Sequence, residues 1–352
     1  MGCMKFPSIK INYKQPDFRQ FIKYGVFVVL AGMLGNLVFS FFTTDRSIIG
    51  ALSQFRPLYF ILAILLSLFP WLTNTLRLMI WTRFLGKRYS FRELFKIILS
   101  QDIGSAVSPT AVGGGYVKAG MLIKRGLSTG AATSLMTLST FEDGVFFMFA
   151  LPIAVILSSC WKLPVIRDIV HHLNFAYNYL VLAGVVILLI ATLVILLKYT
   201  RIAERSKLLT KLLKTSKKVW KDFVLVYMLI GKRGKTRFAV TITLTAIQWI
   251  CRYSVVTALL ASLRIPVDPV LFFLFQWVTF TIMTMIPTPG AAAGAEASFY
   301  FIYTPFIPKE FLGLMTMGWR FLTFYLQVSL SIIIIAAIYF SGIYKKNPES
   351  VS

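Results

Sequence analysis

Long apolar segments constrain this chain more than any other feature of the sequence. Six of them lie near residues 24–43, 58–81, 128–158, 177–198, 238–263 and 311–341. A helix needs about 20 predominantly apolar residues to cross the ~30 Å hydrocarbon core of a bilayer. We therefore predict an all-α polytopic membrane protein with six transmembrane helices.

Two further apolar segments are broken in the middle by glycine and proline. Unwound backbone at membrane depth is tolerated only inside protein or beside a water-filled cavity, so both segments are predicted to be re-entrant broken-helix hairpins. Ser90 and Glu93 form a capping-box pattern, which predicts a helix that starts at Phe91. The two segments are 91–127, interrupted by Pro109, Gly113, Gly114 and Gly115, and 269–308, interrupted by Pro287, Pro289, Gly290 and Gly294.

The distribution of charge predicts environment and orientation. Only 14% of the residues are charged, which excludes a soluble enzyme because soluble domains are about a quarter charged. In this apolar context the net charge of +24 favours anionic lipid over nucleic acid as a partner. Residues 198–237 hold thirteen Lys and Arg against two acids, so the positive-inside rule places this loop and both termini in the cytoplasm. The alternation of Lys and Leu over 207–221 predicts either a basic amphipathic helix on the inner leaflet or a solvated loop.

An internal repeat relates the two halves of the sequence. Sliding the chain by 178 residues aligns Trp71 with Trp249 and places the two proline breaks on each other. Each match joins elements of the same kind, which is typical of the inverted-topology repeats of transporters. The prediction is one membrane domain over 1–352, made of a first half (20–160), a second, inverted half (177–345) and a basic cytoplasmic linker (199–237).

The repeat also aligns intramembrane charges of opposite sign, because Lys118 meets Glu296 and Glu142 meets Arg320. Charges at membrane depth are costly and mark a pathway or a buried pair. We predict that these partners neutralise each other across the pseudo-two-fold axis. Arg252 is predicted to belong to the same network or to bond the carbonyl groups of neighbouring helices. Static ion pairing is the alternative for all of these charges.

Two other charged residues receive simpler interpretations. Arg77 lies near the cytoplasmic end of its span and is expected to extend its guanidinium toward the membrane surface. Asp143 directly follows Glu142 and faces about 100° round the helix, so it is not expected to share a site with Glu142.

The glycine-rich breaks have a chemical interpretation. A helix that resumes near Tyr116 points free N–H groups at the membrane interior, and Lys118 in its first turn adds a positive charge, which together predict a phosphate or anion site. Close helix packing through small residues is the alternative. The predicted lipid-binding residues are Thr110, Gly113, Gly114, Lys118, Glu142, Arg252, Thr288, Gly290, Glu296 and Arg320.

Enzymatic chemistry finds little support in the sequence. His171 and His172 lie in a short outer loop without an accompanying cysteine or carboxylate cluster, and neither a GxSxG nor an HExxH motif occurs. We expect no enzyme activity, no metal and no cofactor.

Two stretches resemble the signatures of a known family. Residues 108–147 contain a Gly-Gly pair, a basic residue four positions on at Lys118, a Lys-Arg-Gly turn and a helix glutamate at Glu142. Residues 287–325 contain a Pro-Gly-rich break, then Glu296 and Arg320. Both resemble the flippase-like membrane domain of lysylphosphatidylglycerol synthases. The resemblance implies a stand-alone member without the aminoacyl-transfer domain, and therefore a lipid translocase.

The leading hypothesis is a lipid translocase of a prokaryotic cytoplasmic (inner) membrane. It moves a phospholipid or a polyprenyl-phosphate-type lipid between leaflets, with membrane lipids of anionic headgroup as partners, no nucleic acid, and possible homo-oligomerisation. A secondary transporter of a small anionic solute is one alternative, since the same repeat serves it. A membrane-embedded lipid-phosphate transferase is a weaker one, since it needs a catalytic constellation.

Overall fold

The computed structural model describes residues 55–108, 113–162, 207–286 and 288–340, together with seven isolated helical residues between 24 and 35. The elements of this part are all helical. The α-helices are α1 (Pro57–Phe84), α2 (Phe91–Val107), α3 (Gly113–Lys124), α4 (Thr129–Ser158), α5 (Lys207–Arg233), α6 (Lys235–Ala261), α7 (Pro269–Met285), α8 (Gly294–Tyr303), α9 (Lys309–Arg320) and α10 (Leu326–Phe340). A 3-10 turn covers Cys160–Lys162, and a π-helical turn, Phe321–Tyr325, joins α9 to α10.

Four helical segments are long and apolar enough to cross a membrane. They are Pro57–Phe84, Thr129–Ser158, Lys235–Ala261 and the continuous segment Lys309–Ile338. At 1.5 Å per residue, the 28 residues of α1 extend about 42 Å, more than the ~30 Å of hydrocarbon. The chain is therefore a multi-pass, helical membrane protein, as the sequence predicts. The predicted spans 177–198 and, apart from a few helical residues, 24–43 lie outside the described residues.

Helices α2 and α3 form an antiparallel hairpin. The Ser90 hydroxyl accepts a hydrogen bond from the Glu93 N–H at 3.3 Å, and the Glu93 carboxylate accepts one from the Ser90 N–H at 2.9 Å, which confirms the predicted capping box. Arg125, just after α3, forms a 2.6 Å ion pair with Glu93. The Tyr89 hydroxyl donates to the Arg125 carbonyl at 2.8 Å. The start of α2 and the end of α3 are thus joined at one end of the hairpin.

Helices α7 and α8 repeat this arrangement. Asp268 caps α7 by accepting from the Val270 N–H at 2.8 Å, and a proline follows it at the first helical position. Near that end, Gln276 donates to the Tyr303 hydroxyl at 2.6 Å, and the rings of Phe272 and Tyr303 lie 5.2 Å apart. The start of α7 and the end of α8 therefore also lie together.

Helices α1 and α6 pack against each other in opposite directions. The Arg56 N–H, just before α1, donates to the carbonyl of Ser262, just after α6, at 2.8 Å. At the other end, the guanidinium of Arg237 lies 5.0 Å from the ring centre of Phe84. Since α2 follows the end of α1 and α7 follows the end of α6, the two hairpins begin at opposite ends of this helix pair.

The helix bounds reproduce the repeat that the sequence indicates. Helix α6 begins 178 residues after α1 (Lys235 and Pro57), and α7 begins 178 residues after α2 (Pro269 and Phe91). Each pair also has nearly the same length, 28 and 27 residues for α1 and α6 and 17 residues each for α2 and α7. Two copies of one helix–hairpin unit therefore run in opposite directions along the chain.

Helix α5 is the predicted basic helix, and it is longer than 207–221. Its second half packs on α4, where Val226 and Ile230 are buried and the Tyr227 hydroxyl lies 3.1 Å from that of Thr137. Trp220 stays exposed and stacks on Phe223. This part of the linker is therefore attached to the membrane domain as a helix, which excludes the alternative of a solvated loop.

Candidate functional site

A buried arginine–glutamate pair forms the centre of a polar cluster between α1, α4 and α6. The Glu142 carboxylate accepts four hydrogen bonds: from Arg77 Nε at 3.0 Å and Nη2 at 2.7 Å, from the Trp81 indole at 2.8 Å, and from the Thr241 hydroxyl at 2.5 Å. Arg77 Nη1 donates to Gln248 of α6 at 2.8 Å. Glu142 and Arg77 are 1% and 3% exposed, so the charges are removed from solvent but fully hydrogen-bonded.

Two more charged residues belong to this first cluster. The Lys118 ammonium, 6% exposed, donates to the Ser139 hydroxyl at 2.8 Å, and the Ser139 carbonyl accepts from Arg77 Nη2 at 3.1 Å. Asp143 lies 3.4 Å from Arg77 Nη1 and accepts from the Trp249 indole at 3.0 Å. The cluster therefore joins two cations and two carboxylates.

Two expectations fail in this cluster. Arg77 does not extend to the membrane surface, because a carboxylate on α4 is within reach of its guanidinium. Asp143 shares a site with Glu142, because the forked guanidinium lies between the two helix faces and contacts both carboxylates. The ~100° between consecutive residues separates two short side chains but not their contacts with one long one.

The second buried pair lies between α8 and α9. Arg320 Nε donates to Glu296 Oε1 at 3.1 Å, and Arg320 Nη2 donates to the carbonyl of Gly290. The Tyr325 hydroxyl lies 3.4 Å from the same Glu296 oxygen, and the guanidinium lies 4.3 Å from the ring centre of Phe324. Glu296 Oε2 is buried and has no hydrogen-bond partner among the described residues. This carboxylate is therefore only half satisfied.

The backbone around the second pair is unusual. Gly290, Ala291 and Ala293 all have positive φ, at 61°, 52° and 63°, in a region that non-glycine residues rarely occupy. A Cβ added to Gly290 would lie 2.4 Å from the Phe324 ring. Directly after Arg320 comes the π-helical turn, an element frequent at functional sites. Strained loops and π turns in one place indicate a functional constraint.

The predicted pairing across the two halves is wrong. Glu142 pairs with Arg77 rather than with Arg320, and Glu296 pairs with Arg320 rather than with Lys118. Positions related by a two-fold axis meet only when they lie close to that axis, and these charges lie away from it, each bonded within its own neighbourhood. Static or moving, the charges form two separate clusters.

Arg252 stands between these clusters without a carboxylate bonded to it. Its guanidinium lies 5.7 Å from the ring centre of Trp249 and 5.2 Å from that of Phe280, and its buried Nε has no partner among the described residues. Asp102 is within electrostatic range of Arg252, but its carboxylate accepts from the Trp71 indole at 2.6 Å. Neither predicted role of Arg252, a network member or a donor to helix carbonyls, appears in the contacts to these residues.

The remaining predicted site residues pack the two breaks. The Gly113 N–H donates to the Ser108 hydroxyl at 2.9 Å, so one amide of the predicted anion site is already used. A Cβ on Gly114 would lie 2.5 Å from the Gln101 carbonyl, which explains why the α2–α3 hairpin needs glycine there. Thr288 is exposed, and its hydroxyl donates to the Ala292 carbonyl at 3.3 Å. Thr110 lies outside the described residues.

An apolar groove runs along the membrane-facing side of α4, next to α6 and α7. Its volume is about 350 Å³. It begins one helical turn beyond Glu142 and Asp143. The lining residues are Val145, Phe146, Phe149, Ala150, Ile153, Ala154, Leu157, Ile242, Ile250, Val270 and Phe273. In the described ranges, no three His, Cys, Asp or Glu residues lie close enough together to hold a metal ion.

Sequence comparisons agree with this architecture. The family model described as lysylphosphatidylglycerol synthase TM region matches residues 23–331. The chain is also similar to a UPF0104 membrane protein of Archaeoglobus fulgidus, with 23% identity over 291 residues that cover 77% of this chain and 84% of the relative. Since the matched region includes both hairpins and all four spans, the chain belongs to the family of the lysylphosphatidylglycerol synthase TM region.

Proposed function

We propose that this protein is a lipid translocase that moves a phospholipid or polyprenyl-phosphate-type lipid between leaflets of the cytoplasmic membrane. The observation that carries the proposal is the pair of hairpins that begin at opposite ends of antiparallel α1 and α6. An inverted repeat with broken helices is the arrangement by which transporters expose one central site alternately to two sides. The family membership supports a membrane-lipid function.

The proposed topology has six spans and two re-entrant hairpins, with both termini in the cytoplasm. Helices α2 and α7 have 17 residues each, about 26 Å, which is short of the ~30 Å hydrocarbon core. Their return through α3 and α8 supports hairpins that enter and leave on one side. Two further spans near 24–43 and 177–198 then satisfy the charge of the loops.

Lipid is favoured over a soluble anion because of the groove on α4. Its lining is apolar and faces the bilayer, which suits an acyl or polyprenyl chain. A lipid whose tail stays in that groove keeps its headgroup near the polar residues one turn away. A soluble anion gains nothing from such a surface. We propose transport rather than enzymatic conversion, with the lipid as the partner.

The headgroup contact is proposed to be Arg252, assisted by Lys118. Arg252 is a guanidinium between two aromatic rings with a free buried N–H, so an arriving phosphate would supply the missing acceptor. Lys118 makes one described hydrogen bond and keeps donors for a second ligand. Glu142 and Arg77 are proposed to hold the helices that carry these cations.

A leaflet-resolved assay in proteoliposomes tests the proposal. Purified protein is reconstituted with a fluorescent anionic phospholipid or a labelled polyprenyl phosphate, and the accessible fraction of probe is followed by quenching from outside. Arg252→Gln should slow translocation about tenfold or more, because a hydrogen bond to a charged group contributes ~1.5–3 kcal/mol. Arg83→Gln, which removes an exposed cation at the end of α1, is the matched control.

Three outcomes contradict the proposal. Wild-type protein that moves neither probe lipid removes the translocase function. Uptake of a soluble anion such as phosphate in place of lipid supports the solute transporter. Chemical conversion of the probe lipid by purified protein supports the transferase.

A further inference from the structure

Glu142 and Glu296 are both buried and paired with arginine, but they differ in how completely their carboxylates are bonded. Both oxygens of Glu142 accept hydrogen bonds, four in total. Glu296 uses only Oε1, for Arg320 at 3.1 Å and Tyr325 at 3.4 Å, and leaves Oε2 buried without a partner. An ionised oxygen without a donor in a low-dielectric interior is unfavourable by ~1–3 kcal/mol or more. Glu296 is therefore held in the charged form far less firmly than Glu142.

The groups that face Glu296 are few. Arg320 reaches it from α9 and Tyr325 from the π-helical turn, and no other charged side chain of the described residues contacts it. Its helix neighbours Ala295 and Phe299 are fully buried and apolar. One cation therefore balances the Glu296 charge, and if that cation moves away only a proton can neutralise the carboxylate.

Arg320 has an alternative set of contacts already in place. Its Nη2 donates to the carbonyl of Gly290, and its guanidinium lies against the ring of Phe324. Both contacts remain available to a guanidinium that has left Glu296. Gly290 lies in the loop with three positive φ angles, and Phe324 lies in the π-helical turn. Backbone of this kind has a second conformation within a few kcal/mol, which permits Arg320 to change partners.

We propose that Glu296 binds and releases one proton in each transport cycle, and that Arg320 leaves and rejoins it as the proton binds and departs. The proton comes from water on one side of the membrane, adds to a lone pair of Glu296 Oε2 as an O–H bond, and returns to water on the other side when Arg320 comes back. No electron transfer takes place. Lipid movement is thereby coupled to the proton gradient, and this coupling rests on the proposed function.

Infrared spectroscopy tests proton binding without any transport. Wild-type protein in nanodiscs should develop the carbonyl stretch of a buried, protonated carboxylic acid as the pH is lowered within its folded range. Glu296→Gln should lack this band. Glu310→Gln, which neutralises an exposed glutamate at the start of α9, should retain it and is the matched control. No such band in the wild type, or an undiminished band in Glu296→Gln, would overturn the proposal.

A second variant covers the case in which Glu296→Gln does not fold. Tyr325→Phe removes a hydroxyl near Oε1 while keeping the carboxyl group, so the band should shift in frequency without disappearing. A band that keeps its wild-type frequency in Tyr325→Phe belongs to another residue and overturns the assignment to Glu296.

Transport under an imposed pH difference tests the coupling. Wild-type translocation of the fluorescent anionic phospholipid should be faster in one direction of the gradient, and Glu296→Gln should move it at a rate that the gradient leaves unchanged. Wild-type transport that does not respond to the gradient overturns the coupling and leaves the translocase function intact. If the wild type moves no lipid, the translocase function fails, and the infrared result still decides whether Glu296 binds a proton.

Discussion

The Arg77–Glu142 and Arg320–Glu296 pairs have the same chemistry and opposite surroundings. The first is bonded on every side by α1, α4 and α6, and it lies between straight helices. The second is bonded on one oxygen only, and it lies between a strained loop and a π-helical turn. A completely satisfied buried pair fixes the helices that hold it, whereas a half-satisfied pair beside irregular backbone is able to rearrange. We assign the first to structure and the second to the transport cycle.

The largest expected effect separates the two pairs by stability. Arg77→Gln leaves Glu142 buried without its cation, which should destabilise the protein by ~3–5 kcal/mol, because breaking a buried pair leaves an uncompensated charge. Arg320→Gln should be less destabilising, because its partner carboxylate can take up a proton. Thermal unfolding in detergent, monitored by fluorescence-detected size exclusion, measures both. Equal losses in stability for the two variants would contradict the assignment.

A smaller effect is expected from the loop at the second pair. Gly290→Ala places a Cβ 2.4 Å from the Phe324 ring at a backbone with φ of 61°, so it should destabilise the protein by ~1–3 kcal/mol and slow transport. Gly120→Ala is the control, because a Cβ on that helical glycine meets nothing within 4 Å and should be neutral or slightly stabilising. If Gly290→Ala melts and transports like the wild type, the loop geometry has no role.

A double-mutant cycle tests the pairing itself. The coupling energy between Arg320→Gln and Glu296→Gln should be ~0.5–3 kcal/mol, as for residues in direct contact. The coupling between Arg320→Gln and Glu142→Gln should be below ~0.5 kcal/mol, because the two side chains belong to different clusters. Unfolding free energies of the single and double variants provide both numbers. A large coupling between Glu142 and Arg320 would restore the pairing that the repeat predicts.

The sequence predicts the framework better than the contacts. Apolar length and the capping box identify four of the spans and the start of α2, because both signals are local. The 178-residue offset anticipates the equivalence of α1 with α6. The ion pairs are not accessible in this way, since Arg77 and Glu142 are 65 positions apart and nothing local links them.

A signal for the first cluster was nevertheless present in α6. Thr241, Thr245 and Gln248 lie at positions i, i+4 and i+7 of an otherwise apolar helix, and all three are buried. Such a polar stripe predicts a buried polar partner on the facing helix. It would have directed attention to Arg77 of α1 instead of to the protein surface.

The smallest expected effect on stability belongs to Lys118, which lies in the first cluster but makes only one described hydrogen bond, to Ser139. Its positive charge is repelled by Arg77 and attracted by Glu142 and Asp143, so these contributions largely cancel. Lys118→Met should therefore change the unfolding free energy by no more than about 1 kcal/mol, the usual contribution of one hydrogen bond. Translocation of the anionic phospholipid should nevertheless fall, whereas Lys118→Arg should retain much of it because the charge remains. Parallel melting curves and the quenching assay measure the two quantities. A stability loss as large as that of Arg77→Gln would make Lys118 part of the fixed structure, and full transport by Lys118→Met would remove it from the lipid site.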